Sequence, residues 1–185
     1  MRKFEFCCNL VDLPNFETFR QTIRDVRKKF QSLFGTALLE RLPLYVDNCT
    51  AGGGYVPTCY SMLESIVCIK LNIADFTKTE QITYQFAHEM MHFVYRCLIG
   101  IDKKNANEYE ESICSAMSLC MLYGNCKNFD SWCNHVKGLS NNGYRKGYDV
   151  AKECNFDAVK LKEKIEDEIA DYRKIAAPPL SFIDL

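Results

Sequence analysis

The stretch Gln81–Cys97, QITYQFAHEMMHFVYRC, constrains this chain more than any other. It holds two of the chain's three histidines, four residues apart, with a glutamate directly after the first. No proline or glycine interrupts it, and its flanks, TYQFA and FVYRC, are apolar. That pattern predicts a buried helix, from about Thr79 to Leu98 with Gly100 as its stop. Residues i and i+4 share one face of a helix, so His88 and His92 present two imidazoles to one point. Buried histidines need partners. Neutral imidazole nitrogen binds zinc at about 2.0–2.1 Å, and one helical turn gives the required spread. Glu89 is rotated by about 100° from His88. From there its carboxylate can take a proton from a water held in the open coordination position.

A catalytic zinc needs a third protein ligand. His135 is the remaining histidine, and the longer HExxHxxGxxH pattern fails, because Tyr95 and Arg96 follow the motif with no third histidine at that spacing. A carboxylate is the alternative. A second helix is expected from about Asn105 to Tyr123, opening NEYEES and turning apolar at Ile113, Met117 and Leu119. A short loop would return it antiparallel to the first, with its acidic start facing His92. Acids at a helix N-terminus also complement the dipole, which accounts for one or two of Glu108, Glu110 and Glu111. Glu110 and Glu111 point about 100° apart, so one metal does not take both.

His88-Glu89-Met90-Met91-His92 followed by a glutamate-bearing helix resembles the gluzincin metallopeptidases. EYEESICSAMSL is also similar to the second helix of small bacterial HExxH proteins, including the metallopeptidases associated with mobile elements. The resemblance spans about residues 65–123. It implies a zincin-like domain that binds zinc and cleaves peptides or proteins, with Glu89 as general base and a glutamate of the second helix as third ligand. Carried over, that ligand is Glu111, 111 − 92 = 19 residues after His92. Glu108 competes, because NEYEES echoes the family's Asn-Glu start, and Glu110 is a further alternative. Ser115 stands where the family pattern has an acid supporting a histidine, so that support would come from elsewhere. The alternative function is a peptidase-like metal-binding or regulatory protein without hydrolysis.

Peptide hydrolysis also needs a donor for the developing oxyanion. The sequence offers His135, Tyr144 and Tyr148, of which His135 and Tyr148 are taken as catalytic candidates beside Glu89. Substrates of such enzymes commonly add as a strand to a sheet edge, and SIVCIKLNI, dense in β-branched residues, is the expected edge. The adjacent cysteines Cys7 and Cys8 would point to opposite faces of a strand and do not form a metal site.

The rest of the chain sets the frame. At 185 residues and 48% hydrophobic it suits a single domain with a proper core. Strand and helix patterns mix over 1–77, the two motif helices fill 78–124, and helices alone follow over 125–185. That order predicts an α+β fold, a small mixed sheet packed on the motif helix and then a mainly helical C-terminal half. NFETFRQTIRDVRKKFQSLFG reads as an amphipathic helix capped by Asn15, CTAGGGYVPTC as a connecting loop, and FDAVKLKEKIEDEIADYRKI as a charged helix with Val159, Ile165, Ile169 and Tyr172 as its apolar edge. With 23 basic and 24 acidic residues the net charge is −1, which gives nucleic-acid binding no support. The 11 cysteines are odd in number and form no C-x-x-C pair. With no signal peptide and no long apolar run, a cytoplasmic protein with reduced thiols is expected and no membrane span, a secreted effector being the other possibility.

Overall fold

The computed structural model describes residues 4–49, 56–62, 65–101 and 106–166. Strand β1 (Phe4–Phe6) leads through a single 3-10 turn into helix α1 (Phe16–Phe34) and the short α2 (Thr36–Leu39). Strands β2 (Leu44–Asn48), β3 (Thr58–Met62) and β4 (Ile66–Leu71) complete a sheet of order β1-β2-β4-β3. The first three strands in that order run parallel, and β3 is antiparallel to β4 at the edge. Helices α3 (Thr79–Ile99), α4 (Glu108–Leu122), α5 (Phe129–Lys137) and α6 (Asn142–Glu153) follow, and α7 covers 158–166. This is the mixed-sheet, then helical, arrangement expected from the sequence.

The apolar stripe of α1 buries Phe19, Ile23, Val26 and Phe30, the spacing that the sequence predicted. Phe19 stacks on Phe76 with ring centroids 4.3 Å apart. Asn15 precedes α1 in a left-handed conformation and makes no side-chain cap, so its use there is a tight backbone turn, which asparagine tolerates, rather than the expected hydrogen bond. Gly100, at φ 135°, ends α3 in a conformation that L side chains rarely adopt.

Three expectations are corrected. SIVCIKLNI contributes an interior strand, not the edge: β4 is paired on both sides and its residues are mostly buried, as a continuous apolar run demands. β3 is the edge beside β4, with β1 at the opposite edge; its first residues, Thr58 and Cys59, fall in the stretch CTAGGGYVPTC expected to be a loop. Its five-residue length and half-exposed pattern give a weak strand signal. The buried face of α7 carries Leu161 and Ile165, while Val159 is exposed. Residues 52–54, Ile169 and Tyr172, and the tail lie outside the described residues. None of the helices among the described residues is long and apolar enough to cross a membrane, and no disulfide joins the described cysteines.

Helix α3 packs on β4, β3 and α1 with one side and on α4 with the other. Paired contacts of His92 with Glu110, His88 with Glu111, and the Tyr84 carbonyl with Ser118 run in opposite senses along the two chains, so α3 and α4 are antiparallel.

Candidate metal centre

Among the described residues, the buried charged side chains all sit on these two helices: His88 at 8% exposure, Glu89 at 3% and Glu110 at 5%. Charges are rarely taken out of water unless paired or bound to a metal. The two histidines turn toward each other, with Nε2 atoms 3.3 Å apart. Glu111 Oε2 lies 3.1 Å from His88 Nε2 and 3.5 Å from His92 Nε2. Three ligand-type atoms thus form a nearly equilateral triangle.

Glu110 reaches the opposite edge of the His92 ring, its Oε1 2.7 Å from Nδ1. An ionised carboxylate only accepts, so Nδ1 carries the proton and donates, and Nε2 is left to face His88 and Glu111. The two adjacent glutamates therefore divide the work by the 100° rotation between them. Asn107 fixes their turn, because its side chain accepts from the Glu110 amide at 2.8 Å and caps α4.

His88, His92 and Cys114 form a buried group whose ligand atoms lie within 4.8 Å of one another and which could hold a metal ion. The Cys114 sulfur approaches His92 at Nδ1, at 3.4 Å, the same edge that Glu110 occupies. Burial pushes the Cys114 thiol up to about 12, against the pull of the neighbouring His92.

The electrostatics follow the geometry. Burial by itself would raise the pKa of Glu111, but hydrogen bonds to His88 and His92 hold it down at about 2. Burial opposes charge on His92, yet Cys114, Glu110 and Glu111 outweigh it and raise its proton affinity. Glu89 is shifted upward by burial, which its neighbouring histidines only partly offset.

Two clefts meet at Glu89 and His88. The smaller, about 380 Å³, is bounded by Cys59 of β3, His92, Arg96, Glu110 and Glu111. The larger, about 710 Å³, runs along the N-terminal half of α3, with Tyr84, Trp132, His135 and Leu139 on its wall. Tyr144 lines both. Its ring stands edge-on to His88 at 5.3 Å, and burial, then Glu111 and Glu89, raise its phenol to about 12. Arg96 donates to the Cys59 carbonyl at 3.2 Å, tying the edge strand to the motif helix.

The structure brings together His88, Glu89, His92, Glu110 and Glu111, and separates the other candidates from them. Glu108 is half-exposed and pairs with Lys146 at 2.5 Å and with Asn142, so it is not available as the alternative ligand. Glu110 is committed to His92 Nδ1 instead of the shared triangle. Tyr148 lines neither cleft. It lies against Phe156, with the Lys137 ammonium 4.1 Å from its ring centre, and one helical turn separates it from Tyr144, which does face the site. His135 lines the larger cleft, edge-on to Tyr84 and Trp132, outside the smaller one that holds His92 and Glu111. Ser115 is buried and bonds to neither histidine; Glu110 supplies the support that an acid there would have given.

Comparisons with models of protein families, with curated proteins and with solved structures return no match to this chain.

Proposed function

We propose that this protein is a zinc-dependent metallopeptidase, with zinc held by His88, His92 and Glu111 and with Glu89 as general base. The triangle of His88 Nε2, His92 Nε2 and Glu111 Oε2 carries this reading. Its sides of 3.1, 3.3 and 3.5 Å match the separation of about 3.3 Å between ligands in a tetrahedral site with bonds of about 2.0–2.1 Å. Two imidazoles and one carboxylate leave a fourth position open, as a catalytic zinc requires. Glu111 is favoured over Cys114 because it faces the Nε2 atoms, whereas Cys114 competes with Glu110 for Nδ1.

A bound zinc ion supplies Lewis acidity and lowers the pKa of a water in the open position. Glu89 accepts the proton of the attacking water as its oxygen bonds to the peptide carbonyl carbon. The same carboxyl then delivers that proton to the amide nitrogen as the C–N bond breaks. Glu110 keeps the His92 imidazole in the Nδ1–H tautomer throughout. Tyr144, whose ring meets His88, donates to the developing oxyanion. Strand β3 offers an edge on which an extended substrate lies beside the site. On the wall of the larger cleft Trp132 Nε1 already donates to Glu80, at 3.3 Å, so that wall offers mainly ring surface and favours a bulky apolar side chain next to the scissile bond.

Metal content and cleavage of a peptide library, measured on the wild type and on Glu89→Gln, test the reading. About one zinc per chain in both, with cleavage by the wild type alone, is the expected result. A wild type that takes up no zinc overturns the metal site. One that holds zinc yet cleaves no peptide overturns the peptidase and leaves a metal-binding protein.

A further inference from the structure

Helix α6 approaches α4 more closely than side chains allow. A Cβ built on Gly147 would sit 2.4 Å from the Ser115 Cβ and 3.0 Å from both the Ala116 nitrogen and the Ser112 carbonyl oxygen. One on Gly143 would sit 2.9 Å from the Glu111 Cβ and 2.9 Å from the Glu108 carbonyl oxygen. Distances below 3.0 Å to backbone and Cβ atoms leave no rotamer to relieve them. Both glycines are buried, and they stand at positions i and i+4, so they form one face of α6. That face rests on the turn of α4 that carries Glu111 and on the turn after it. Tyr144, next to Gly143, is the α6 residue whose ring meets His88.

We propose that Gly143 and Gly147 are positioning residues: they let α6 dock backbone to backbone on α4 and thereby hold Tyr144 against His88 at the metal centre. This rests on the metallopeptidase reading for the chemistry that Tyr144 performs, but not for the docking itself. It also explains Ser115. A small residue is needed beneath Gly147, and a longer acid would hold the helices apart, so histidine support is supplied by Glu110 from the preceding turn.

Helix propensity makes the proposal sharp, because alanine favours a helix over glycine. Without the close contact, Gly147→Ala would be stabilising. With it, Gly147→Ala displaces Tyr144. The expected results are retained zinc, a kcat lowered about as far as by Tyr144→Phe, and little change in KM. In the double variant Gly147→Ala/Tyr144→Phe the losses do not multiply, since both act through one phenol. Ser115→Gly, which removes the closest clashing atom, restores part of the kcat of Gly147→Ala.

A readout independent of catalysis uses protein labelled with 3-fluorotyrosine, the Tyr144 resonance being assigned from Tyr144→Phe. Gly147→Ala moves that resonance to a solvent-exposed position, and Ser115→Gly brings it back part of the way. An unmoved Tyr144 resonance in Gly147→Ala overturns the docking role, as do losses that multiply in the double variant. If no peptide is cleaved by any form, the fluorine shift alone decides the proposal, so its failure and that of the peptidase reading are told apart.

Discussion

The sheet half of the molecule and the α3–α4 pair bury their chains in different ways. Around β1, β2, β4 and α1 the core is apolar, and Asn48 is its buried polar side chain. Asn48 is fully engaged with the backbone of Ile73, donating to its carbonyl at 3.0 Å and accepting from its amide at 2.8 Å. In α3 and α4, His88, Glu89 and Glu110 are buried on facing helices, and their contacts leave two imidazole nitrogens and a carboxylate oxygen turned to one point. Both regions pair most of their buried polar groups, the exceptions among the described residues being Arg27 Nε on α1 and Ser115 Oγ on α4. The sheet does so with neutral backbone bonds, whereas the helix pair sets carboxylates against imidazoles.

The largest effect that could break this contrast comes from the ligands. Glu111→Gln should weaken zinc binding, read by competition with a chromophoric chelator, by more than the roughly 10–100-fold expected for a residue that only supports a ligand. Cys114→Ser should leave affinity almost unchanged. The reverse order would move the metal to the His88, His92 and Cys114 group. Next, Glu110→Gln should lower zinc affinity by roughly 10–100-fold while the fold is kept, because it removes the carboxylate that holds the His92 tautomer.

Phe19→Ala probes the other region. It empties a fully buried aromatic site stacked on Phe76 and should cost about 3–5 kcal/mol in chemical denaturation. Zinc affinity of the folded protein should not follow; a parallel loss would mean that the two regions are coupled. A smaller effect is expected on specificity. Trp132→Ala should reduce any preference for bulky apolar side chains, seen as a ratio of kcat/KM values, by about tenfold. Smallest of all, Glu108→Gln, at an exposed pair with Lys146, should change neither Tm nor zinc affinity measurably.

Much of this was legible in the chain. The HExxH helix, its end at Gly100, the α1 stripe and the acidic start of α4 follow from periodicity and end signals, which are local. Glu111 was separable from its neighbours by family resemblance, but the role of Glu110 was not. Its hydrogen bond depends on how far α4 is rotated and shifted against α3. The signal for Tyr144 over Tyr148 lay in the sequence as Gly143-x-x-x-Gly147, a pair that marks a close helix crossing and orients the residue between. Strand β3 was hidden because five half-exposed residues after a glycine-rich segment carry little periodicity.

The sequence by itself determined that two histidines and a glutamate would share a buried helical turn, since helix geometry repeats every 3.6 residues wherever the helix lies. It also determined that an acidic turn would follow on a second helix. Tertiary structure decided which glutamate faces the Nε2 atoms, which supports Nδ1 and which is spent on a surface lysine. It likewise decided which tyrosine reaches His88 and which strand borders the cleft. Those choices depend on angstrom-scale offsets between packed elements, and such offsets arise only when the whole core closes at once.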